Sequence, residues 1–383
     1  MTRICDIAVI GLGLMGSAAL YALARQGADV LGFDALPVGS DRGSSHGSCR
    51  VFRRFNAENP AYTALSDQAF AAWRALEAAS GATVLLPSQV LEAGPVGCVS
   101  VAASRAAALA AGNSPTGPRT GAEANAAFPA FRLPANWDVV VQDAGGILLA
   151  EAAMRAFREG AGDRIIAEAA RLTPTPAGLR ITTATQEIVA AQAIVAAGPW
   201  IGELIPALRP HLVVTRQTVG WFRPADPGAV SYGHFPVFLL EGPHGFIYGF
   251  PDFEGRGVKA ARHDHGPPAA PDAWGPPASD AELAPVSQTL AGFIPGAAGP
   301  ILERDVCLYT NTLPADVRSD AGEEFILDRL PQDPRIIIAS PCSGHGAKFA
   351  SAIGEILAQL ALDPAFQTDA AFRLDRFSSF AAL

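Results

Sequence analysis

Charge is scarce in this 383-residue sequence: Asp, Glu, Lys and Arg together make up 17% of it, against 49% apolar residues. So apolar a chain can bury a large core, which excludes a disordered, solvating segment. Long hydrophobic runs are missing too. No stretch approaches the roughly 18 uninterrupted apolar residues of a membrane span, so the chain reads as globular and soluble, with no membrane partner. Basic charge is the scarcer sign, 28 Lys and Arg against 37 Asp and Glu, and no dense basic block occurs. That excludes a nucleic-acid partner. Cysteine is sparse as well: the five thiols at 5, 49, 98, 307 and 342 are scattered, odd in number and without metal-ligand spacing. They point to a reducing compartment rather than a disulfide framework, and to no bound metal. The N-terminus has no basic region followed by a long apolar stretch, and Phe380-Ala381-Ala382-Leu383 is not a peroxisomal address. A cytoplasmic location is expected.

A chain of this length exceeds the size at which one core keeps growing, so two domains or interleaved lobes are expected. Residues 5–10 read as a strand, about 14–26 as a helix and 29–34 as a second strand, the opening of a doubly wound parallel sheet. A helical pattern covers about 60–80, a short strand 82–86, and Gly/Pro-bearing residues at 94–97 mark a change of territory. An Ala-rich helix to about 112 ends at the breaker Gly112-Asn113-Ser114-Pro115-Thr116-Gly117-Pro118. Strands near 138–148, 163–169, 178–184 and 188–196, with a helix over 149–161, return to an α/β texture. From 211 to 262 the alternation is β-like. A loop over 265–277 and a helix over 279–293 follow, and strand-helix pairs at 302–310, 323–328, 334–339 and 346–362 close the chain.

Gly11-Leu12-Gly13-Leu14-Met15-Gly16 follows an apolar strand and opens a helix, the context in which this glycine spacing signals a dinucleotide. Gly11 permits the tight turn, Gly13 lets a pyrophosphate approach the backbone, and Gly16 lets the helix pack closely. The helix N-terminus adds N–H groups and positive potential. Asp34, ending the second strand, can accept a hydrogen bond from a ribose hydroxyl. These residues do not choose between FAD and NAD(P). Both cofactors use the unit, and the hexapeptide also resembles the opening of β-hydroxyacid dehydrogenases.

Later blocks make the choice. Gly43-Ser44-Ser45-His46-Gly47-Ser48-Cys49-Arg50-Val51-Phe52-Arg53, Val306-Cys307-Leu308-Tyr309-Thr310 and Ser343-Gly344-His345-Gly346-Ala347-Lys348-Phe349 stand in order along the chain. Between them fall Tyr248-Gly249-Phe250-Pro251, Gly257-Val258-Lys259 and His263. With the opening, these blocks resemble the monomeric sarcosine oxidase and N-methyltryptophan oxidase family, FAD-dependent amine oxidoreductases of the D-amino-acid oxidase type. The resemblance spans essentially the whole chain. It implies an α/β fold in which a Rossmann-like FAD-binding lobe interleaves with an α+β substrate lobe built on a mostly antiparallel sheet. We expect the first lobe at 1–85, 140–210 and 300–383, and the second at 86–139 and 211–299.

The resemblance also implies roles for single residues. Cys307 matches the cysteine that carries FAD through an 8α-S-cysteinyl link, a reaction for which a thiolate is the suited nucleophile. Arg53 and Lys348 match the pair that holds the substrate carboxylate, the arginine as a two-oxygen fork and the lysine as a point charge. His46 and Arg50 fall near the flavin ring. Lys259 matches the lysine that activates oxygen, where a fixed cation stabilises the negative charge developing on O2. Tyr248, Tyr309 and His263 correspond to the substrate pocket, where an aromatic wall suits a neutral amine. Ser45, Gly198, Gly344 and Gly346 complete the expected cofactor site.

Two features depart from the family pattern. The loop Leu313 to Gly322 is longer than in sarcosine oxidase, and Leu239 stands where that enzyme has a methionine near the substrate. The expected function is oxidation of an N-methyl or cyclic amino acid, giving an imine and H2O2, by a monomer whose partners are a small amino-acid substrate and O2. The rivals are an NAD(P)-dependent hydroxyacid dehydrogenase, supported by residues 11–16 alone, and a flavin-binding protein without turnover.

Overall fold

A computed structural model describes residues 3–56, 61–113, 115, 117–263, 266–273, 275–313 and 324–381. The long loop expected after Leu313 falls at 314–322, outside the described residues. The chain opens as predicted with β1 (Arg3–Ile10), α1 (Leu14–Arg25) and β2 (Val30–Phe33). Ile7 to Ile10 are buried because β1 runs mid-sheet between parallel neighbours, which is why this run is continuously apolar rather than alternating. Next come β3 (Cys49–Phe52), α2 (Ala61–Ser80), β4 (Leu85–Gly94), α3 (Val99–Ala110), α4 (Gly121–Ala127), β5 (Asp138–Leu149) and α5 (Ala150–Ala161). α5 buries Ala150, Ala153, Met154, Phe157 and Ala161, a helical stripe whose Phe157 ring lies 5.4 Å from Tyr21 of α1. Short strands β6 (Ile165–Ile166), β7 (Arg171–Thr175) and β8 (Gly178–Thr182) lead to β9 (Glu187–Val195) and the short helix α6 (Ile201–Leu204). The rest comprises β10 (Leu212–Phe222), β11 (Val237–Gly242), β12 (Gly245–Gly249), β13 (Val258–Arg262), α7 (Asp280–Phe293), β14 (Ile301–Thr312), β15 (Ile326–Leu330), β16 (Asp333–Ser340) and α8 (Ala350–Leu362). α7 starts at a capping box formed by Ser279 and Glu282.

These strands make two eight-stranded sheets. The first runs β15-β16-β9-β1-β2-β6, parallel from β16 to β6, with β15 antiparallel at its edge and the β7–β8 hairpin joined to β9. The second runs β14-β10-β13-β12-β11-β4-β5-β3 and is antiparallel except where β11 meets β4. The expected α/β architecture therefore holds, with both sheets mixed. No helix among the described residues is long and apolar enough to cross a membrane.

Among the elements named above, β3, α4, β7 and α6 escape the sequence reading. β3 is only four residues long and lies in a Gly- and Ser-rich stretch that carries no alternation. α4 does carry a signal: Thr120 accepts from Glu123 N, and Glu123 accepts from Arg119 N, so the Thr-x-x-Glu spacing announced a helix start. β4 runs on to Gly94 instead of stopping near 86, and Pro95 ends it. By pairing, β3, β4, β5 and β14 all join the second sheet, so the chain passes to that sheet already at β3, returns after β5, and leaves it again only after β14.

Candidate active site

The turn between β1 and α1 is glycine for steric reasons. Gly11 has φ +86°, and a Cβ there would lie 2.6 Å from Ala196 O, while one at Gly16 would lie 1.8 Å from Gly11 O. Gly13 caps α1 without any side-chain bond, and a Cβ on it would come within 3.0 Å of Ser45 Oγ. A larger residue would fill the space through which a pyrophosphate reaches the first turn of α1. Ser45 Oγ accepts from Leu14 N at 3.0 Å. Asp34 accepts from Leu12 N and Leu36 N, each at 2.8 Å, and pairs with Arg158 at 3.0 Å. Gly11, Gly13, Asp34 and Ser45, with Gly198, Gly344 and Gly346, line a cavity of about 440 Å³ at the C-terminal ends of β1, β2, β9 and β16. That is the ligand position of open α/β sheets, and the glycine cradle, the glycine N-cap of α1 and the acid at the end of β2 fit a dinucleotide.

A second cavity of about 90 Å³ shares His46, Arg50, Tyr309, Gly344 and Ala347 with the first, so the two are neighbours across one wall. The second sheet supplies its other side. Strand alternation turns Asp305, Cys307 and Tyr309 of β14 into it, together with Val219 and Trp221 of β10, Leu239 of β11, Tyr248 of β12 and Lys259 of β13. Leu239 and Tyr248 are cross-strand partners. The His263 ring lies 5.9 Å from Tyr309 and 6.4 Å from Tyr248. Gly344 permits this wall to close: its φ is +74°, and a Cβ would lie 2.5 Å from Tyr309 Cε2 and 2.8 Å from His263 Cε1.

Cations line the cavity. Arg50 donates to the carbonyls of Ser44 (2.9 Å), His46 (2.6 Å) and Cys49 (2.8 Å), so it pins the Gly-rich segment as well as facing both cavities. Arg53 and Lys348 are both buried, at 8% and 3% exposure. Arg53 Nη1 is 3.4 Å from Glu92 Oε2, and Lys348 Nζ donates to His345 O at 3.1 Å. The Lys348 carbonyl accepts from Trp73 Nε1 at 2.9 Å, which ties that turn to α2. Lys259 Nζ donates to the Gly47 and Cys49 carbonyls and lies 5.1 Å from the Trp221 ring centre.

Burial sets the ionisation of this group. Lys259 titrates below the ordinary lysine value, chiefly through desolvation, although the thiols of Cys49 and Cys307 and the Asp305 carboxylate oppose the shift. Desolvation pushes the Cys307 thiol up to about 11, against the pull of Arg50 and Lys259. It also lifts Tyr248 to about 12 and Tyr309 well above its usual value, so both phenols are neutral walls and donors rather than bases. Burial would raise Asp305 as well, but the hydrogen bond from His46, whose Nδ1 is 3.2 Å away, holds the carboxyl below its usual range.

The small cavity thus gathers His46, Arg50, Arg53, Leu239, Tyr248, Lys259, His263, Cys307, Tyr309 and Lys348 from segments far apart in sequence. Gly16 backs the glycine turn instead of lining the large cavity, and Cys307 and Lys348 line the small one. Asp305, Trp221, Glu92 and Arg158 were not singled out from sequence. Asp305 and Trp221 follow from alternation, each two residues from another inward position. Glu92 is an acid inside the apolar run Val90, Leu91, Ala93, which demands a buried partner. Arg158 carries no such signal, because only the tertiary fold brings α5 to the glycine turn.

Comparison with known proteins agrees with this geometry. The family described as FAD dependent oxidoreductase matches residues 6–360. A monomeric sarcosine oxidase of Bacillus sp. (strain B-0618) is 33% identical over 372 residues, covering 93% of this chain and 92% of its own. An N-methyl-L-tryptophan oxidase of Yersinia pestis (strain Pestoides F) is 30% identical over 383 residues, covering 97% and 99%. Among solved structures, NikD, described as an unusual amino acid oxidase, superposes with a TM-score of 0.82 at 20% identity over 96% of both chains.

Proposed function

The chain belongs to the FAD dependent oxidoreductase family, and we propose that it oxidises a small secondary amino acid of the sarcosine kind, with FAD tethered at Cys307 and O2 as acceptor. It is a flavin-dependent oxidase of secondary amines. One observation carries the substrate reading: a small cavity beside the dinucleotide cradle combines two buried cations, Arg53 and Lys348, with a wall of Tyr248, Tyr309, His263 and Leu239. A carboxylate meets the cations, and a neutral amine with its methyl group or ring meets the wall.

Bound FAD would supply the two-electron acceptor for the carbon beside nitrogen, so that the amine becomes an imine that water hydrolyses, and O2 would take up the two electrons with two protons as H2O2. The chain's own residues bind, orient and exclude water. Arg53 and Lys348 fix the carboxylate, and the neutral phenols of Tyr248 and Tyr309 keep the reacting carbon dry. Lys259 holds a cation in a shielded place, where it acts on charge that appears as O2 is reduced. His46, oriented by Asp305, and Arg50 stand where both cavities meet. Cys307, flanked by Arg50 and Lys259, is the thiol for an 8α-S-cysteinyl bond. We assign the dinucleotide to the lobe built on the first sheet, the amine to that built on the second, and the working unit to one chain. Five free thiols support a reducing, cytoplasmic location.

Oxygen uptake across a panel of N-methyl, cyclic and primary amino acids tests the proposal. One H2O2 per secondary amino acid consumed is expected, with primary amines much slower. Turnover of hydroxy acids with NAD(P), and none of secondary amines, would overturn it.

A further inference from the structure

Glu92 is a carboxylate in a place that tolerates one only with strong partners. It lies on β4 at 1% exposure between the apolar residues Leu91 and Ala93. Three elements hold it. Gln142 Nε2 on β5 donates to Oε1 at 2.6 Å, Ser104 Oγ on α3 donates to Oε2 at 2.8 Å, and Arg53 Nη1, just beyond β3, stands 3.4 Å from the same Oε2. Gln142 is itself fixed, since Oε1 accepts from Arg54 N and Phe55 N while Nε2 also donates to Phe55 O. The segment carrying Arg53 is therefore clamped to the acid through side chain and backbone together. Arg53 lines the small cavity and Glu92 does not, so the acid acts from behind the guanidinium.

We propose that Glu92 is a positioning residue that sets, through Arg53, how strongly the cavity binds a substrate carboxylate. This rests on the reading of Arg53 as a carboxylate ligand. The buried acid orients the guanidinium before substrate arrives. Its negative charge also competes with the incoming carboxylate for the same cation, which keeps binding moderate and release of an anionic product easy. Ser104 and Gln142 spread that charge and so moderate the competition. A purely structural acid would behave differently: its loss would weaken every substrate alike or release the flavin.

The test compares sarcosine with dimethylamine, the same amine without its carboxylate, in flavin-loaded protein. Glu92→Gln removes the charge and keeps the shape, so KM for sarcosine is expected to fall by about 10-fold, with KM for dimethylamine unchanged. Ser104→Ala leaves more of the Oε2 charge to Arg53, so KM for sarcosine is expected to rise about 2-fold, again with dimethylamine unaffected. Arg53→Ala is run beside them. If it leaves the preference for sarcosine over dimethylamine intact, the carboxylate reading itself fails. If it abolishes that preference while Glu92→Gln leaves KM for sarcosine unchanged or raised, the role of Glu92 alone is overturned. Should Glu92→Gln not fold with flavin, Ser104→Ala decides by the same criterion: an unchanged or lowered KM for sarcosine overturns the proposal.

Discussion

Replacing Lys259 by Met removes one buried cation and little volume, and the structure tells what that does to each half of the catalytic cycle. Lys259 is 4% exposed, its Nζ donates to the main-chain oxygens of Gly47 and Cys49, and Trp221 and Phe250 wall it at 5.1 and 5.7 Å from their ring centres. The fold is expected to survive. Leaving the Gly47 and Cys49 carbonyls short of a donor costs about 1–3 kcal/mol, and relief of the lysine's own desolvation offsets part of it. The loss falls on catalysis, since a full charge in a shielded cavity acts only when negative charge appears on oxygen. Reoxidation should slow by about 10²–10³, at least as much as removal of one preorganised oxyanion donor, while anaerobic reduction by substrate changes far less. An artificial electron acceptor should restore part of the turnover. The wild-type enzyme should show the same dependence on pH: the cation exists below its lowered pKa and vanishes above it, so reoxidation should fall as pH rises, earlier than an exposed lysine would dictate. Stopped-flow measurement of both half-reactions decides. Equal slowing of the two would make Lys259 structural or substrate-binding, and unchanged reoxidation would remove it from the oxygen site.

Other consequences follow from the same wall of residues. Yellow colour should stay with the polypeptide after acid precipitation, and Cys307→Ser should hold FAD only loosely, because Gly11, Gly13 and Gly16 still cradle it; full release of FAD from the wild type refutes the link. With the Cys307 thiol at about 11, the thiolate fraction rises about tenfold per pH unit below that value, so covalent loading of apoprotein should accelerate from pH 7 to 9, and a flat profile would argue against thiolate attack. Gly344→Ala should abolish turnover, since its Cβ would meet Tyr309 and His263 and the positive φ strains any other residue; retained kcat with sarcosine would show that the wall can yield.

The parts of this protein that sequence made legible are those whose chemistry is local. The glycine turn, the acid at the end of β2 and the apolar β1 declare a dinucleotide unit because each requirement falls within a few neighbouring residues. That unit left FAD and NAD(P) open, and only the spaced blocks around Arg53, Lys259, Cys307 and Lys348 separated them. What stayed hidden depends on packing. Arg158 reaches Asp34 and the glycine turn from α5, more than a hundred residues on, and no periodicity reports that approach. Glu92 and Asp305 were visible as acids among buried strand positions, yet their partners, Arg53 and His46, come from another part of the chain. β3 was missed because its four residues owe their extended form to pairing with β5 rather than to any pattern of their own.

In the proposed reaction a secondary amino acid delivers electrons to the chain's own flavin and oxygen removes them. Anaerobic titration of the purified yellow protein with sarcosine, followed by admission of O2, tests it most directly. The flavin absorbance should bleach stoichiometrically, and its colour should then return with one H2O2 formed per amine oxidised. A flavin that keeps its colour with sarcosine and with every other N-methyl or cyclic amino acid would contradict it.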